Sequence, residues 1–65
     1  MTRDDPYTAR FDEVDAGGQA RSTVGEELRE RDPDGATPTE AWFHGEEYRL
    51  ETELDDGVAV YVRRL

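Results

Sequence analysis

The amino-acid sequence lacks several residue types that small domains commonly use. It has no cysteine, so neither disulfide bonds nor thiolate zinc ligands can hold the fold together. No apolar run approaches the roughly 20 residues of a membrane-spanning helix, and the N-terminal sequence MTRDDPYTAR lacks the apolar segment of a signal peptide. We therefore expect a single soluble domain over residues 1–65, with a cytoplasmic location and a size near the lower limit for unaided folding.

Acidic residues dominate the composition. Seventeen acidic residues face eight basic ones, all arginine, and the net charge is −9. Lysine, isoleucine and asparagine are absent, and Leu, Ile, Val and Phe together number 11 of 65 residues, which with this charge is typical of disorder. As a whole-chain composition, without any motif, this resembles the proteins of haloarchaea, whose cytoplasm is saline. The resemblance implies a halophilic protein, because molar salt shortens the Debye length to about 3 Å and screens self-repulsion.

Residues 48–65 carry the clearest local pattern, which predicts a β-hairpin. Apolar and charged residues alternate up to Leu54, and a run rich in β-branched residues follows the turn at residues 55–57. A three-residue loop with a left-handed Gly57 pairs Leu50 with Val62, whereas a two-residue loop would place carboxylates among the valines. The predicted core face therefore consists of Tyr48, Leu50, Thr52, Leu54, Val58, Val60 and Val62.

A third strand is predicted at residues 40–43. A four-residue loop at residues 44–47 would pair Phe43 with Tyr48 and Ala41 with Leu50, which keeps these side chains on one face. The C-terminal part is then an antiparallel meander of strands at about 40–43, 48–54 and 58–64. An isolated hairpin is marginally stable in water, so another element or a second subunit must cover its apolar face.

The N-terminal half has two interpretations. Residues 7–11 alternate as in a short strand, and residues 12–19 contain the pair Gly17-Gly18, which indicates a turn. Thr23 and Glu26 match a helix capping box, and good helix formers follow, which predicts a short helix at about 23–31. The competing interpretation makes residues 20–24 a strand that pairs with residues 7–14 across the glycine pair.

These elements predict a small α+β domain, with the C-terminal meander and the helix at about 23–31. Residues 1–6 are expected to be frayed, and residues 32–39 to form a turn and a connector. The alternative is an all-β five-stranded barrel or half-barrel. Residues 58–62 are apolar on both faces, so this strand is expected to pair with the N-terminal strand or with its copy in a homodimer, which we expect in preference to a monomer.

The second face of the predicted meander is the candidate functional surface. It would carry Trp42, Arg49, Tyr61 and Arg63, residue types that protein interfaces favour. We expect a non-enzymatic interaction module that binds a protein partner or itself through a sheet face or edge. In another interpretation, the N-terminal segment covers this face and Trp42 and Tyr61 form a second small core.

An alternative function is a small regulator or accessory factor that acts near nucleic acid. Arg49, Arg63 and Arg64 would supply the phosphate contacts, although a net charge of −9 opposes them.

The sequence offers little to catalysis or to metal binding. One histidine, one serine and no cysteine or lysine suggest no pair of nucleophile and base. Residues 32–35 begin like a calcium loop, but Thr37 and Phe43 stand where that loop requires glycine and glutamate. Residues 44–47 hold one histidine and two acids, which is a weak metal signal. We expect no enzyme activity, no cofactor and no metal.

Overall fold

The structure is a computed structural model that describes residues 6–65, with the backbone alone for Ala20 and Arg21. The predicted fraying of the N-terminus falls largely outside these residues. The strands are β1 (Tyr7–Val14), β2 (Ala20–Arg29), β3 (Glu40–Phe43), β4 (Glu46–Glu53) and β5 (Val58–Arg64). None of residues 6–65 lies in a helix of the length and hydrophobicity that crossing a membrane requires.

The five strands form one curled sheet, a half-barrel, in the order β2-β1-β5-β4-β3. All neighbours are antiparallel except β1 and β5, which are parallel. The prediction of an α+β fold is therefore wrong, and the all-β alternative agrees with the structure. Strands β2 and β3 come first and last in this order and are therefore the edges of the sheet.

Strand β2 replaces the predicted helix at about 23–31. Its residues pair with β1 from Arg29, opposite Tyr7, to Ala20, opposite Val14, with two register shifts between them. Helix propensity is a weak local preference of a few tenths of a kcal/mol per residue, and pairing with a neighbouring strand overrides it. The capping-box pattern at Thr23 and Glu26 therefore gave a wrong prediction.

Strand β5 lies at the centre of the sheet. It pairs with β4 on one side and, in parallel, with β1 on the other, so that Ala59 lies beside Ala9 and Tyr61 beside Phe11. Strands inside parallel pairs are commonly apolar on both faces, which explains the composition of β5. Of the two predicted partners, the N-terminal strand is the one present, and β5 offers no open edge to a second copy.

The turn between β4 and β5 has the predicted length. The Leu54 amide donates to the Val58 carbonyl at 2.7 Å, and Gly57 has a φ of 87°, as the three-residue loop requires. A register shift between Leu50 and Thr52 then pairs Leu50 with Tyr61 instead of Val62. The extra residue of this bulge is Glu51, which has no partner in the register.

The Glu51 bulge overturns the predicted core face. A shift of one residue moves every following side chain to the opposite face. Ala59 and Tyr61 therefore lie on the same face as Leu50, while Val60 shares the other face with Thr52. We call these the inner face, which holds Tyr61, and the outer face, which holds Val60.

The turn between β3 and β4 is shorter than predicted. His44 and Gly45 have φ values of 52° and 79°, which is the conformation of a two-residue type I′ turn. Phe43 pairs with Glu46 and Ala41 with Tyr48, so the predicted pairing is wrong by two residues. An even shift preserves the faces, and Ala41 remains on the inner face, where it is buried.

Aromatic rings fill the inner face. Phe11 is fully buried and stacks on Phe43, with 4.4 Å between ring centroids. Its ring also contacts Tyr48 edge-on at 5.1 Å and Tyr61 at 5.5 Å. Small residues separate the rings on this face, namely Ala9, Ala41 and Ala59. Alternation of large and small inward residues is how small barrels fill a tapered interior.

Side chains close the gap between the edges β2 and β3, which no backbone ladder joins within residues 6–65. A Cβ at Gly25 would stand 2.9 Å from Cζ of Phe43, so the absence of a side chain there makes room for that ring. The Arg29 guanidinium lies 4.9 Å from the centroid of the Phe11 ring and donates from Nη2 to the Trp42 carbonyl at 2.6 Å. These contacts hold the two edges together.

Candidate interaction surface

The structure divides the four predicted surface residues between the two faces of the sheet. Trp42 lies opposite Glu47, and Arg49 lies opposite Val62 on the outer face. The Glu51 bulge carries Tyr61 and Arg63 to the inner face. The sheet therefore brings together Trp42 and Arg49 of the four.

Tyr61 belongs to the core. Its side chain is fully buried, and its hydroxyl donates to the Pro38 carbonyl at 2.6 Å. The hydroxyl of Tyr7 lies 3.0 Å away and is placed to donate to Tyr61. Burial of the hydroxyl raises the pKa of Tyr61 above its usual value. The residue is thus unavailable to a partner.

Arg63 is engaged in ion pairs that connect neighbouring strands. Its Nη1 lies 3.1 Å from Oε2 of Glu13 on β1, and its Nε lies 3.3 Å from Oε2 of Glu46 on β4. Burial and then the Glu13 carboxylate raise the pKa of Tyr48 on the same inner face. Arg63 therefore closes this end of the inner face and contributes little to a binding surface.

Trp42 is the one aromatic residue that lies mainly in solvent. It is 56% exposed, whereas Tyr7, Phe11, Tyr48 and Tyr61 are buried and Phe43 is half-buried. None of the arginine side chains that the structure describes lies over its indole ring. The main chain at Trp42 is held by the bond from Arg29, so the ring projects from a fixed point.

The described part of the N-terminal segment does not form a layer over the outer face. From Tyr7 onward it is a strand of the sheet itself, paired on both sides. Trp42 and Tyr61 therefore do not form a second core together, since one is exposed and the other lies inside.

An apolar strip runs along the centre of the outer face. It consists of Val58, Val60 and Val62 on β5 and Val14 on β1. Val14 and Val60 are buried, and Val58 and Val62 are half-buried. Beside the strip, Asp12 is 6% exposed and accepts a bond of 3.0 Å from Nε of Arg10.

Two adjoining depressions deepen this strip near the end of β5. One has a volume of about 520 Å³ and the other about 220 Å³, and both are bordered by Glu51, Val62 and Arg64. We call them together the outer groove, defined by Val14, Arg49, Glu51, Val60, Val62 and Arg64. The groove was not predicted, and its one signal in the sequence was the apolar character of β5 on both faces.

Neither known proteins nor the metal-binding residue types of the described chain indicate what this surface does. No family profile, curated protein or solved structure matches the chain. Within residues 6–65, no group of three or more His, Cys, Asp or Glu side chains is arranged to hold a metal ion. The His44 ring packs edge-on against Phe43, with 4.2 Å between centroids.

Proposed function

We propose that the protein is a small, non-enzymatic interaction module of a halophilic cytoplasm, which binds a protein partner, or a second copy of itself, through Trp42 and the adjoining outer face. The observation that carries the proposal is the separation of the six aromatic residues, of which five pack inside and Trp42 is 56% exposed. An aromatic side chain buries roughly 150–250 Å² when it is fully covered. Covering the exposed half of Trp42 would contribute about 2 kcal/mol.

The surroundings of Trp42 are those of a protein interface. Tryptophan and arginine dominate binding energy in such interfaces, usually with polar residues around them. Arg49 is exposed on the same face, and the exposed Glu40 and Glu47 stand beside it and beside Trp42. This arrangement provides an aromatic anchor, a guanidinium and an acidic rim.

The halophilic part of the proposal rests on the acidic composition. A net charge of −9 on 65 residues is strongly self-repulsive in dilute buffer, and molar salt would screen it. We expect the far-UV circular dichroism signal of the sheet to increase as KCl rises from dilute buffer to molar concentration. A signal that is complete in dilute buffer and unchanged by salt would contradict this part of the proposal.

The ion pairs of Arg63 favour a protein partner over nucleic acid. Of the three arginines that the alternative function requires, Arg63 already pairs with Glu13 and Glu46. Two exposed arginines, Arg49 and Arg64, supply few phosphate contacts, and phosphate binding weakens steeply with salt.

Partner capture with matched variants tests the proposal. The immobilised protein, its Trp42→Ala variant and a Leu28→Ala control would be exposed to lysate in molar KCl. Leu28 is a suitable control because it is 71% exposed and lies on β2, the other edge strand. We expect a protein that wild type and Leu28→Ala retain and Trp42→Ala does not. Equal capture by Trp42→Ala, with its sheet signal intact, would contradict the proposal.

Fluorescence distinguishes a different partner from a second copy, because Trp42 is the one tryptophan of the chain. An exposed indole emits at long wavelength, and burial shifts the emission to shorter wavelength. Emission that shifts to shorter wavelength as the protein is concentrated identifies a second copy as the partner. Emission that shifts only when the captured protein is added identifies that protein.

A further inference from the structure

We infer that the outer groove receives an extended segment of the partner in which a carboxylate side chain and apolar side chains, two positions apart in sequence, point to the same side. The inference rests on the proposed function, because it specifies the chemistry of the protein that the module binds. It depends on the groove and its two arginines and does not require Trp42, which borders neither depression.

Two arginines of the groove form a pair of cations on one face. Arg49 lies opposite Val62, and Arg64 follows two residues after Val62 on the same face of β5. Diagonal neighbours of this kind on adjacent strands lie about 7–8 Å apart, within reach of long side chains. Both arginines border the larger depression, as does Arg63, whose guanidinium is already paired with Glu13 and Glu46.

These arginines differ from others in the structure by their lack of a carboxylate partner. Arg10, Arg29 and Arg63 each form an ion pair, whereas Arg49 and Arg64 form none within 4.0 Å among residues 6–65. Arg31 forms none either, but it lies away from the groove and donates to the Thr37 hydroxyl at 2.7 Å. This is notable in a chain with 17 acidic residues. Guanidinium groups bind carboxylates through paired, charge-assisted hydrogen bonds. The groove therefore offers two binding groups for an anion from another molecule.

The apolar floor of the groove indicates that the segment carries apolar side chains as well as the carboxylate. Val14, Val60 and Val62 border the smaller depression, beside Arg64. In an extended chain, alternate side chains point to the same side, so residues two positions apart in one segment can reach the floor and the arginines together. Apolar contact also persists in molar salt, which screens an ion pair at the surface.

The other charges of the groove favour a single carboxylate over a polyanion or a basic segment. Glu47 and Glu51 border the larger depression, and Asp12, which is paired with Arg10, borders the smaller. A nucleic acid backbone would meet these acids as well as the net charge of −9. A basic segment would be repelled by Arg49 and Arg64.

Titration with model peptides tests the inference. The first peptide is an extended eight-residue chain with a single glutamate and a valine two positions to either side of it, and the second has glutamine in place of that glutamate. Backbone amide shifts of the protein would be followed by nuclear magnetic resonance at the lowest KCl concentration that retains the folded spectrum. We expect saturable shifts at Val60, Val62 and Arg64, with the glutamate peptide binding about tenfold more tightly, as a charge-assisted hydrogen bond provides.

Two double variants with the same change in net charge assign the effect to the groove. Arg49→Gln/Arg64→Gln should reduce binding of the glutamate peptide to the level of the glutamine peptide. Leu28→Glu/Ala36→Glu also makes the protein two charges more negative, at exposed positions outside the groove, and should bind as wild type does within about twofold. The spectrum of each variant verifies that it is folded.

The inference is overturned by equal affinity for the two peptides, by full binding to Arg49→Gln/Arg64→Gln, or by the absence of shifts at the groove. None of these results bears on capture through Trp42, which the Trp42→Ala and Leu28→Ala variants decide. Failure of the inference and failure of the proposed function are thus separate outcomes.

Discussion

The two faces of the sheet use the same strands for opposite purposes. On β5, Ala59 and Tyr61 point into the aromatic core, while Val60 and Val62 point to the outer face. Curling the sheet covers the inner face without any helix, because Phe43 at one edge reaches Phe11 and Gly25 across the half-barrel. A single curled layer can enclose one side only. The comparison teaches that the aromatic core, and with it most of the stability, lies on the inner face, while the outer face is the side to which we assign the proposed binding.

Removing the Phe11 ring should show the difference in stability between the two faces most strongly. Phe11→Ala leaves a cavity among three aromatic rings and is expected to lower the free energy of unfolding by about 3–5 kcal/mol, enough to unfold a domain of this size. Trp42→Ala should change it by about 0.5 kcal/mol or less. Denaturant unfolding in molar KCl measures both, and similar losses for the two variants would show that the faces are not distinct.

Filling the space at Gly25 should separate the edges of the half-barrel. Gly25→Ala places a Cβ 2.9 Å from Cζ of Phe43, and overpacking of this kind costs about 1–3 kcal/mol. A double-mutant cycle gives the sharper result, because in a Phe43→Leu background the added methyl group should cost less. Equal cost in the two backgrounds would mean that Phe43 does not depend on the glycine.

Alkaline pH should destabilise the inner face through its tyrosines. The pKa values of Tyr48 and Tyr61 are raised in the folded protein, whereas in the unfolded chain their hydroxyl groups lose the proton at about pH 10. Their contribution to stability is therefore complete below about pH 10 and is lost as pH rises beyond it. Tyr61→Phe should make this loss less steep, as measured by denaturant unfolding between about pH 8 and about pH 11. An unchanged slope would contradict the assignment to Tyr61.

The ion pairs of Arg63 should have the smallest effect. Arg63→Gln is expected to lower the free energy of unfolding by about 1 kcal/mol or less in low salt, because the side chains concerned are partly exposed. The difference from wild type should shrink as KCl rises, since salt screens such pairs. Leu28→Ala, which removes no charge, should show no such salt dependence. A loss that grows with salt would count against the ion pairs as its cause.

The sequence allowed the local features of the fold to be predicted. The β4–β5 loop followed from the position of Gly57 and from the alternation before it, and strands 40–43 and 58–64 followed from short-range patterns. The hairpin of β1 and β2 was present in the all-β alternative. These features depend on residues that are close in sequence, where turn chemistry and a period of two are informative.

Most features that depend on pairing between separate strands were not predicted, although the N-terminal strand was one of the two partners expected for β5. Residues 23–31 read as a helix because propensity is local, while the pairing that makes them a strand involves β1. No residue type marks the bulge at Glu51, yet it decides which face Tyr61 and Arg63 occupy. Of the candidate surface, Trp42 and Arg49 were therefore predicted together, whereas the groove beside Arg64 became visible once β5 was placed between β1 and β4.

The parallel pairing of β1 with β5 has a consequence for how the chain folds during synthesis. Glu13 and Arg63, which meet in this pair, are separated by 50 residues in sequence. Contacts of such high sequence separation slow folding, because a long loop must close before they form. Before β5 has emerged from the ribosome, the hairpins β1–β2 and β3–β4 can form only as separate fragments. The aromatic core cannot be completed until then, because Ala59 and Tyr61 of β5 belong to it. Folding of the sheet is therefore a late event, completed after almost all of the 65 residues have left the exit tunnel.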